Sequence, residues 1–138
     1  MLFVGMHERQ LDDKGRLALP APFRAMLGEH CYLAKGKDKC VDVLSAEVFE
    51  RDAERKMAEV ESGTASRSSR RALAGSAALV TFDKQGRMKV EDALRAYADI
   101  PLESTVRIVG NFDRVEIWEP SRHQRMEAEG DDELAGDE

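Results

Sequence analysis

One short motif occurs twice in this chain of 138 residues. Asp12-Asp13-Lys14-Gly15-Arg16 returns as Asp83-Lys84-Gln85-Gly86-Arg87, so that the Asp, the Gly and the Arg recur 71 positions later (86 − 15 and 87 − 16). In both copies a short run of alternating apolar residues precedes the motif and another follows it. Self-similarity at a fixed offset is typical of a repeated structural unit. The chain is therefore predicted to be a tandem duplication of one small β-rich unit.

Each copy of the motif is predicted to form a tight turn between two strands. Asp at the first turn position and Gly at the fourth are typical of a type I turn closed by a residue with positive φ. Such a turn makes a short hairpin loop with a bulge, in which a Cβ on the closing residue would strain the backbone. The Asp side chain is placed to accept a hydrogen bond from the amide two residues on. We therefore predict four turn-shaping residues: Asp12, Gly15, Asp83 and Gly86.

An arginine follows the glycine in both turns. Arg16 and Arg87 would start the returning strands near the loop tips, with guanidinium groups free to reach outward. Two solvated arginines are one interpretation, and a shared binding role is the other. The shared role is favoured because the arginines occupy matching sites and each has lysines nearby: Lys14, Lys84 and Lys89.

The distribution of charge permits a nucleic-acid partner. The formal net charge is −6, but residues 1–118 contain 19 Lys and Arg residues and 19 Asp and Glu residues. The last twenty residues contain 2 Lys and Arg residues and 8 Asp and Glu residues, so the C-terminal segment accounts for the whole excess of negative charge. A body that is neutral overall can still present a basic face, because local potential steers binding.

Size and composition restrict the class of protein. Each half is small enough to be marginal alone, so we expect the halves to pack together and the protein to oligomerise. The sequence has no apolar run long enough to span a bilayer and no signal-peptide pattern, which predicts a cytosolic protein. Cys31 and Cys40 show no zinc-site spacing and are interpreted as reduced thiols in or near adjacent strands, with a regulatory disulfide as the alternative.

An enzyme is not expected. The three histidines, His7, His30 and His123, lie far apart in sequence without a nucleophile motif nearby. Gly15 and Gly86 are isolated turn glycines and do not form a phosphate-binding glycine loop. No metal or other cofactor is predicted.

Hydrophobic periodicity and helix-stop signals predict the same element order in both halves. One or two short strands are expected within 3–11. Further strands are expected at 17–19, 31–34, 41–44, 78–82, 88–90, 106–109 and 115–118, and helices at 20–27, 45–61, 65–73 and 91–98. This divides the chain into a first unit (1–50), a helical connection (51–76), a second unit (77–120) and an acidic, disordered tail (121–138).

Two charged segments leave alternatives open. The arginines of the second connecting helix, Arg67, Arg70 and Arg71, form either an anion-binding face or a solvated helix side. The acidic tail either solubilises the protein or folds back on its basic face and competes with DNA.

The chain resembles the MraZ family, whose members carry two AbrB-like (SpoVT-AbrB) units. The resemblance covers roughly residues 1–120 and rests on segments 5–7, 11–20, 36–40, 82–87 and 108–118. It implies an α+β fold of two pseudo-symmetric, swapped-hairpin β-barrel units with short helices packed outside. Val90-Glu91 departs from the apolar residue and Pro that the second unit usually has, and 72–75 replaces an aromatic-rich stretch, so we expect the first unit to dominate DNA contacts.

The resemblance also implies a function. MraZ proteins assemble into rings, bind short direct repeats upstream of their own operon of cell-division and cell-wall genes, and control its transcription. The DNA-binding element of the family is Asp-x-x-x-Arg, which falls here on Asp12 and Arg16 and on Asp83 and Arg87. A regulator of this kind would be cytoplasmic and associated with the nucleoid; whether it represses or activates stays open.

The residues themselves indicate how DNA would be read. The planar fork of Arg16 suits guanine O6 and N7 in the major groove, whereas Lys14 suits a phosphate. The full set of predicted DNA contacts is Lys14, Arg16, Arg9, Arg24, Lys84 and Arg87. The alternative function is an oligomeric scaffold without DNA, or an antitoxin-like module that grips another protein through the helices at 45–61 and 65–73.

Overall fold

The structure, a computed structural model that describes residues 2–136, is a mixed α+β fold with an open antiparallel sheet. Its strands are β1 (Met6–Gln10), β2 (Arg16–Ala18), β3 (Cys31–Lys35), β4 (Val41–Ser45), β5 (Ala78–Leu79), β6 (Arg87–Lys89), β7 (Thr105–Asn111) and β8 (Arg114–Trp118). Its helices are α1 (Ala21–Leu27), α2 (Ala46–Glu61), α3 (Arg67–Ser76), α4 (Asp92–Ala98) and α5 (Pro120–Leu134). The predicted α+β class is confirmed, whereas the swapped-hairpin barrel and the unit boundaries stay predictions.

Strand pairing interleaves the two halves of the chain. Six strands form one sheet in the order β1-β7-β8-β4-β3-β5, and β2 pairs with β6 in a separate two-stranded ribbon. The pairs β1–β7, β4–β8, β3–β5 and β2–β6 are all antiparallel, and each joins a strand before residue 50 to one after residue 77. The sheet is therefore a product of both halves together.

Alternation along the strands places one core between the sheet and the ribbon. Val41 and Val43 of β4 are fully buried on the core side, and Val115 and Ile117 of β8 continue the same face. The core is completed from the ribbon and from the two short helices by Leu17, Met88, Phe23, Leu27, Leu94 and Ala98.

The longer helices cover the other face of the sheet. Tyr32 of β3 points away from the core and stacks on Phe49 of α2, with ring centroids 4.5 Å apart. On β7, Arg107 lies between the buried Val106 and Ile108 and reaches α5, where its Nη1 contacts His123 Nδ1 at 3.1 Å. The molecule thus has three layers, with α2, α3 and α5 on one side of the sheet and the ribbon with α1 and α4 on the other.

Local signals determine where the helices begin and end. The Ser45 Oγ accepts a hydrogen bond from the Val48 amide at 3.3 Å and caps α2, as such a residue does at a helix N-terminus. Ser66 caps α3 in the same way through the Ser69 amide, at 3.0 Å. Gly28 follows α1 with φ 76°, a value that its missing Cβ permits.

The C-terminal segment corrects one expectation. Residues 121–134 were predicted to be disordered, yet they continue α5; residues 137–138 of that predicted tail lie outside the described range. The Glu119 side chain accepts hydrogen bonds from the amides of Ser121 and Arg122 and so caps the helix. His123 is buried against the Trp118 ring, and Arg122 donates to the last carbonyl of α4, Ala98 O, at 3.3 Å. Composition predicted disorder because it does not reveal these tertiary contacts.

The predicted segments 3–11 and 78–82 are only partly paired. Within 3–11, where one or two short strands were expected, β1 forms a ladder and Phe3 is joined to Phe112 by an isolated bridge. Within 78–82 only β5 is paired as a strand. One further hydrogen bond, from the Val80 amide to Cys31 O, follows it. Across residues 2–136, no helix has the length and apolar character needed to cross a membrane.

Candidate nucleic-acid interface

The first turn is organised by the Asp12 carboxylate. Its Oδ1 accepts hydrogen bonds from the Lys14 amide at 2.9 Å and the Arg16 amide at 2.8 Å. Its Oδ2 accepts from Arg16 Nε at 2.7 Å. The Gly15 amide donates to Asp12 O at 3.3 Å, and Gly15 has φ 78°, which a residue with a Cβ rarely adopts. One side chain therefore both closes the loop and orients the arginine that leaves it.

The second turn repeats this geometry. The Asp83 Oδ1 accepts from the amides of Gln85 and Arg87, both at 2.9 Å, and Oδ2 accepts from Arg87 Nε at 2.8 Å. Gly86 closes the loop with φ 75° and donates to Asp83 O at 3.0 Å. Two segments 71 positions apart thus hold an arginine in the same way.

Both aspartates are held in their charged form. The pKa of Asp12 is lowered to about 2, first of all because its carboxylate accepts the Arg16 amide hydrogen bond, with the Arg16 side chain adding to the effect. The pKa of Asp83 is lowered for the same leading reason, the hydrogen bond from the Arg87 amide. These carboxylates therefore stay ionised at neutral pH and keep their arginines oriented.

The β2–β6 ribbon brings the two turns together. In the register of the ribbon, Arg16 lies opposite Lys89, Leu17 opposite Met88, and Ala18 opposite Arg87. Leu17 and Met88 are buried, so the residues that alternate with them face away from the core. We call this outward surface the basic ribbon face; it consists of Arg16, Ala18, Arg87 and Lys89.

The arginines of the basic ribbon face keep donors to spare. The Arg16 side chain is 34% exposed and the Arg87 side chain 29%. Within residues 2–136, the side chains of Arg16 and Arg87 donate hydrogen bonds only through Nε, and Arg87 adds a long ion pair from Nη1 to Asp12 Oδ2 at 3.9 Å. The terminal Nη groups of both side chains can therefore bind a partner outside the chain.

The other predicted contacts lie around this face in different settings. Lys14 and Lys84 are exposed at the tips of the two turns, although they do not occupy equivalent turn positions. Arg9 is exposed on the same side of β1 as His7, whose ring meets the ring of Phe23 in α1 at 5.4 Å. Lys89 lies opposite Arg16 because β6 pairs with β2, and no local pattern in the sequence indicates this position.

Arg24 is held against the protein itself. Its Nε donates to Leu19 O at 3.2 Å. A Cβ built on Gly86 would lie 2.8 Å from Arg24 Cζ, so the guanidinium of α1 rests on the second turn.

Comparison with known proteins agrees with this duplicated arrangement. The family model described as "MraZ protein, putative antitoxin-like" matches residues 2–71 and 73–137, which is nearly the whole chain. The chain belongs to the MraZ family.

Relatives in several bacteria are named "Transcriptional regulator MraZ". The relative in Nocardioides sp. is 38% identical over 128 residues, which cover 93% of this chain and 88% of the relative. The relative in Salinispora arenicola is 37% identical over 134 residues, covering 97% and 93%. The relative in Micrococcus luteus is 39% identical over 118 residues, covering 86% and 81%. MraZ membership, expected from the two motif copies, is confirmed.

A second cluster of polar groups lies on the opposite side of the sheet from the basic ribbon face. The Cys40 Sγ and a carboxylate oxygen each of Asp42 and Glu116, which are atom types that can bind a metal ion, lie within 4.8 Å of one another. Protein donors already occupy both carboxylates, since Arg114 Nη1 binds Asp42 at 3.1 Å and Trp118 Nε1 binds Glu116 at 3.0 Å. We interpret the cluster as a structural network joining β4 to β8. Spacing could not reveal it, because these residues meet only through strand pairing.

Three further expectations concern residues away from this surface. Cys31 and Cys40 are both free and buried. The arginines of α3, Arg67, Arg70 and Arg71, are exposed, and within the described chain they make no ion pair. The acidic helix α5 reaches Arg107 through Glu127 at 4.0 Å, on the side of the sheet away from the ribbon.

Proposed function

We propose that this protein is a DNA-binding transcription regulator that presents the basic ribbon face to the major groove. The observation that carries the proposal is that two Asp-x-x-Gly-Arg turns, far apart in sequence, join in one outward-facing ribbon. The naming of its relatives as transcriptional regulators supports the same function.

The shape of the ribbon suits the groove. The major groove of B-DNA admits a two-stranded β-ribbon, and Arg binds guanine O6 and N7 with two hydrogen bonds. Arg16 and Arg87 would supply such contacts from their unused Nη groups, with Lys89 beside Arg16. Lys14 and Lys84, at the turn tips, would bind phosphates and set the register of the protein on the duplex. The predicted contact of Arg9 would extend the surface at its margin, whereas the guanidinium of Arg24 lies against the second turn.

The aspartates do not oppose this binding. A carboxylate facing a phosphate would repel it. The carboxylate oxygens of Asp12 and Asp83 instead accept hydrogen bonds from turn amides and from Arg Nε. Each therefore serves to preorient a cation, which reduces the entropy lost when the side chain binds DNA.

The finer features of the function are part of the same proposal. The interleaved strand pairs support an AbrB-like, swapped-hairpin arrangement of two units within one chain. One ribbon makes few contacts, so tight binding would come from a ring of identical subunits on repeated boxes, by multivalency. The boxes would lie upstream of the operon of division and cell-wall genes to which the gene belongs, and the protein would act in the cytoplasm at the nucleoid.

The decisive experiment replaces Arg16 by Ala. We expect Arg16→Ala to abolish the preference for the DNA upstream of its own gene over a duplex with scrambled repeats, while the oligomer stays intact. The reason is that each bidentate contact to a base discriminates by about 1–3 kcal/mol and the loss recurs in every subunit. Gel shifts on the two duplexes measure the preference, and size-exclusion chromatography with light scattering measures the oligomer.

Lys14→Ala provides the matched control. A phosphate contact has no sequence preference, so this variant should weaken binding to both duplexes alike and lower the salt slope of log K by about 1 for each subunit that contacts the DNA. Full operator affinity in Arg16→Ala would refute the assignment. If the wild-type protein bound neither duplex even at low salt, the alternative function as a non-DNA scaffold or antitoxin-like module would take its place.

A further inference from the structure

A pair of helix arginines repeats with the same 71-residue offset as the turns. Arg24 of α1 corresponds to Arg95 of α4. Arg24 Nε donates to Leu19 O and Arg95 Nε donates to Val90 O, both at 3.2 Å, and these two acceptors are themselves 71 positions apart. The duplication has therefore preserved a side-chain arrangement as well as a backbone motif.

Each of these arginines rests on the turn of the opposite unit. A Cβ on Gly86, in the second unit, would meet the guanidinium of Arg24, from the first unit, at 2.8 to 3.1 Å. A Cβ on Gly15, in the first unit, would lie 3.4 Å from Arg95 Nε, from the second unit. The two contacts cross, because the β2–β6 ribbon places each turn beside the helix that follows the other strand.

The close approach explains a second requirement for glycine. Gly15 and Gly86 have positive φ, and both are buried. Burial leaves little space for a side chain at either position. A side chain at Gly86 would displace the Arg24 guanidinium, since 2.8 Å is shorter than normal carbon–carbon contact. The glycine thus serves both the turn and the arginine that packs on it.

We infer that Arg24 and Arg95 are positioning residues, each holding the DNA-reading turn of the opposite unit: Arg24 acts through Arg87, and Arg95 acts through Arg16. The inference rests on the proposed function and assigns Arg24 a role other than the direct DNA contact expected from the sequence. It also assigns a role to Arg95, which sequence reasoning left out.

The surroundings of Arg95 support a positioning role. Its side chain is only 13% exposed, compared with 34% for Arg16. Its Nη2 is bound to Asp92 on the same helix, and its Nε is bound to Val90 O. A guanidinium with these donors engaged stiffens its neighbours more readily than it reads a base.

The first test needs no DNA, so it separates this inference from the proposed function. In ¹⁵N-glycine-labelled protein, Arg95→Ala should move the amide resonance of Gly15 and leave that of Gly86 in place. Arg24→Ala should move Gly86 and leave Gly15. Arg51→Ala, which removes an arginine of α2 that pairs with Asp113 on the far side of the sheet, should move neither resonance. Thermal unfolding shows that each variant remains folded.

The second test asks whether each arginine acts through its partner turn. Arg16→Lys and Arg87→Lys keep the charge but lose the planar fork, so binding to the DNA upstream of the gene stays measurable. Arg95→Ala should weaken this binding about tenfold in the wild-type background, and less than about twofold in the Arg16→Lys background, as coupled residues do. In the Arg87→Lys background the tenfold loss should persist. Arg24→Ala should show the mirror pattern.

The outcomes are distinct. Crossed glycine shifts together with crossed coupling support the inference. Uncrossed or absent glycine shifts overturn it, whatever the DNA measurements show. Losses for Arg24→Ala that add fully to those of Arg87→Lys also overturn it and restore the direct DNA contact. Crossed glycine shifts in a protein that fails to bind DNA would uphold the packing and refute the proposed function alone.

Discussion

At the scale of single residues, two aspartates have pKa values shifted in opposite directions. Asp12 lies half-buried at a turn, where amide hydrogen bonds lower its pKa to about 2. Asp42 is 7% exposed, and burial raises its pKa to about 6 although Arg114 opposes the rise. The two shifts have different leading causes: hydrogen bonds to the charged form lower the pKa of Asp12, whereas loss of hydration on burial raises the pKa of Asp42. Asp12 thus favours folding when charged, whereas Asp42 disfavours folding when charged.

The Asp42 carboxyl predicts a pH dependence of stability. Its folded-state pKa lies above the ordinary value of 3.8, so its stabilising contribution is complete below about pH 4 and is lost as the pH rises through about 6. The raised pKa of Asp42 corresponds to a loss of roughly 2–3 kcal/mol in the free energy of unfolding at neutral pH. In the wild type this part of the free energy of unfolding should decrease between pH 4 and 7. Asp42→Asn should abolish the decrease, which is measured by urea titration across this pH range.

The comparison of variants isolates this carboxyl from other titrating groups. The pKa of His123 is lowered by burial and changes stability in the opposite direction as the pH rises. Asp131→Asn, which makes the same chemical change on the exposed end of α5, serves as the control and should keep the wild-type profile. An Asp42→Asn profile that coincides with the wild type would refute the buried, destabilising charge.

At the scale of elements, α5 depends on its first half. Glu119, Arg122 and His123 tie the start of the helix to the sheet and to α4. From residue 127 onward every described side chain is exposed, and acidic residues at the helix C-terminus oppose the macrodipole. The anchored start therefore nucleates a helix that its own composition does not favour.

Gly130 offers a direct test of this helix. A Cβ at Gly130 would contact nothing within 4 Å, so Gly130→Ala should simply gain helix propensity, by about 1 kcal/mol locally. Circular dichroism at 222 nm should increase with little change in Tm. Gly130→Pro should lower the helical signal, again without affecting the core. A disordered segment would respond to neither change, and that result would restore the sequence-based expectation.

At the scale of the whole molecule, the two halves of the chain share one sheet and one core. Pairing of β1 with β7, β4 with β8 and β2 with β6 leaves neither half with a complete sheet. The buried residues of the core likewise come from both halves. A small unit that buries too little apolar surface alone is marginal, and here the sister unit supplies the missing surface.

Separated halves test this interdependence. We expect fragments 1–76 and 77–138 to lack a cooperative unfolding transition when each is alone as a monomer, and to regain one when mixed. Thermal unfolding followed by circular dichroism, with the mass of each species from light scattering, measures the result. Either fragment folding cooperatively as a monomer would show that strand pairing between the two halves is not required for stability.

The sequence alone determined the features that depend on neighbours along the chain. The two Asp-x-x-Gly-Arg turns, the Ser45 cap and the stop at Gly28 follow from local steric and hydrogen-bonding rules. These rules were enough to locate the candidate interface at Arg16 and Arg87, because the repeat pointed to both. They were also enough to place most helices and strands within a few residues.

Which segments meet depends on long-range packing. Lys89 opposite Arg16, Arg24 on Gly86, and the folding of α5 against β7 all join residues that local periodicity treats as independent. Pairing between the two halves of the chain cannot be read from one sequence, because β2 has the same alternation whether it pairs with a strand of its own half or with β6. The choice is made by the core, since only the crossed pairing buries Leu17 and Met88 together beneath one basic surface.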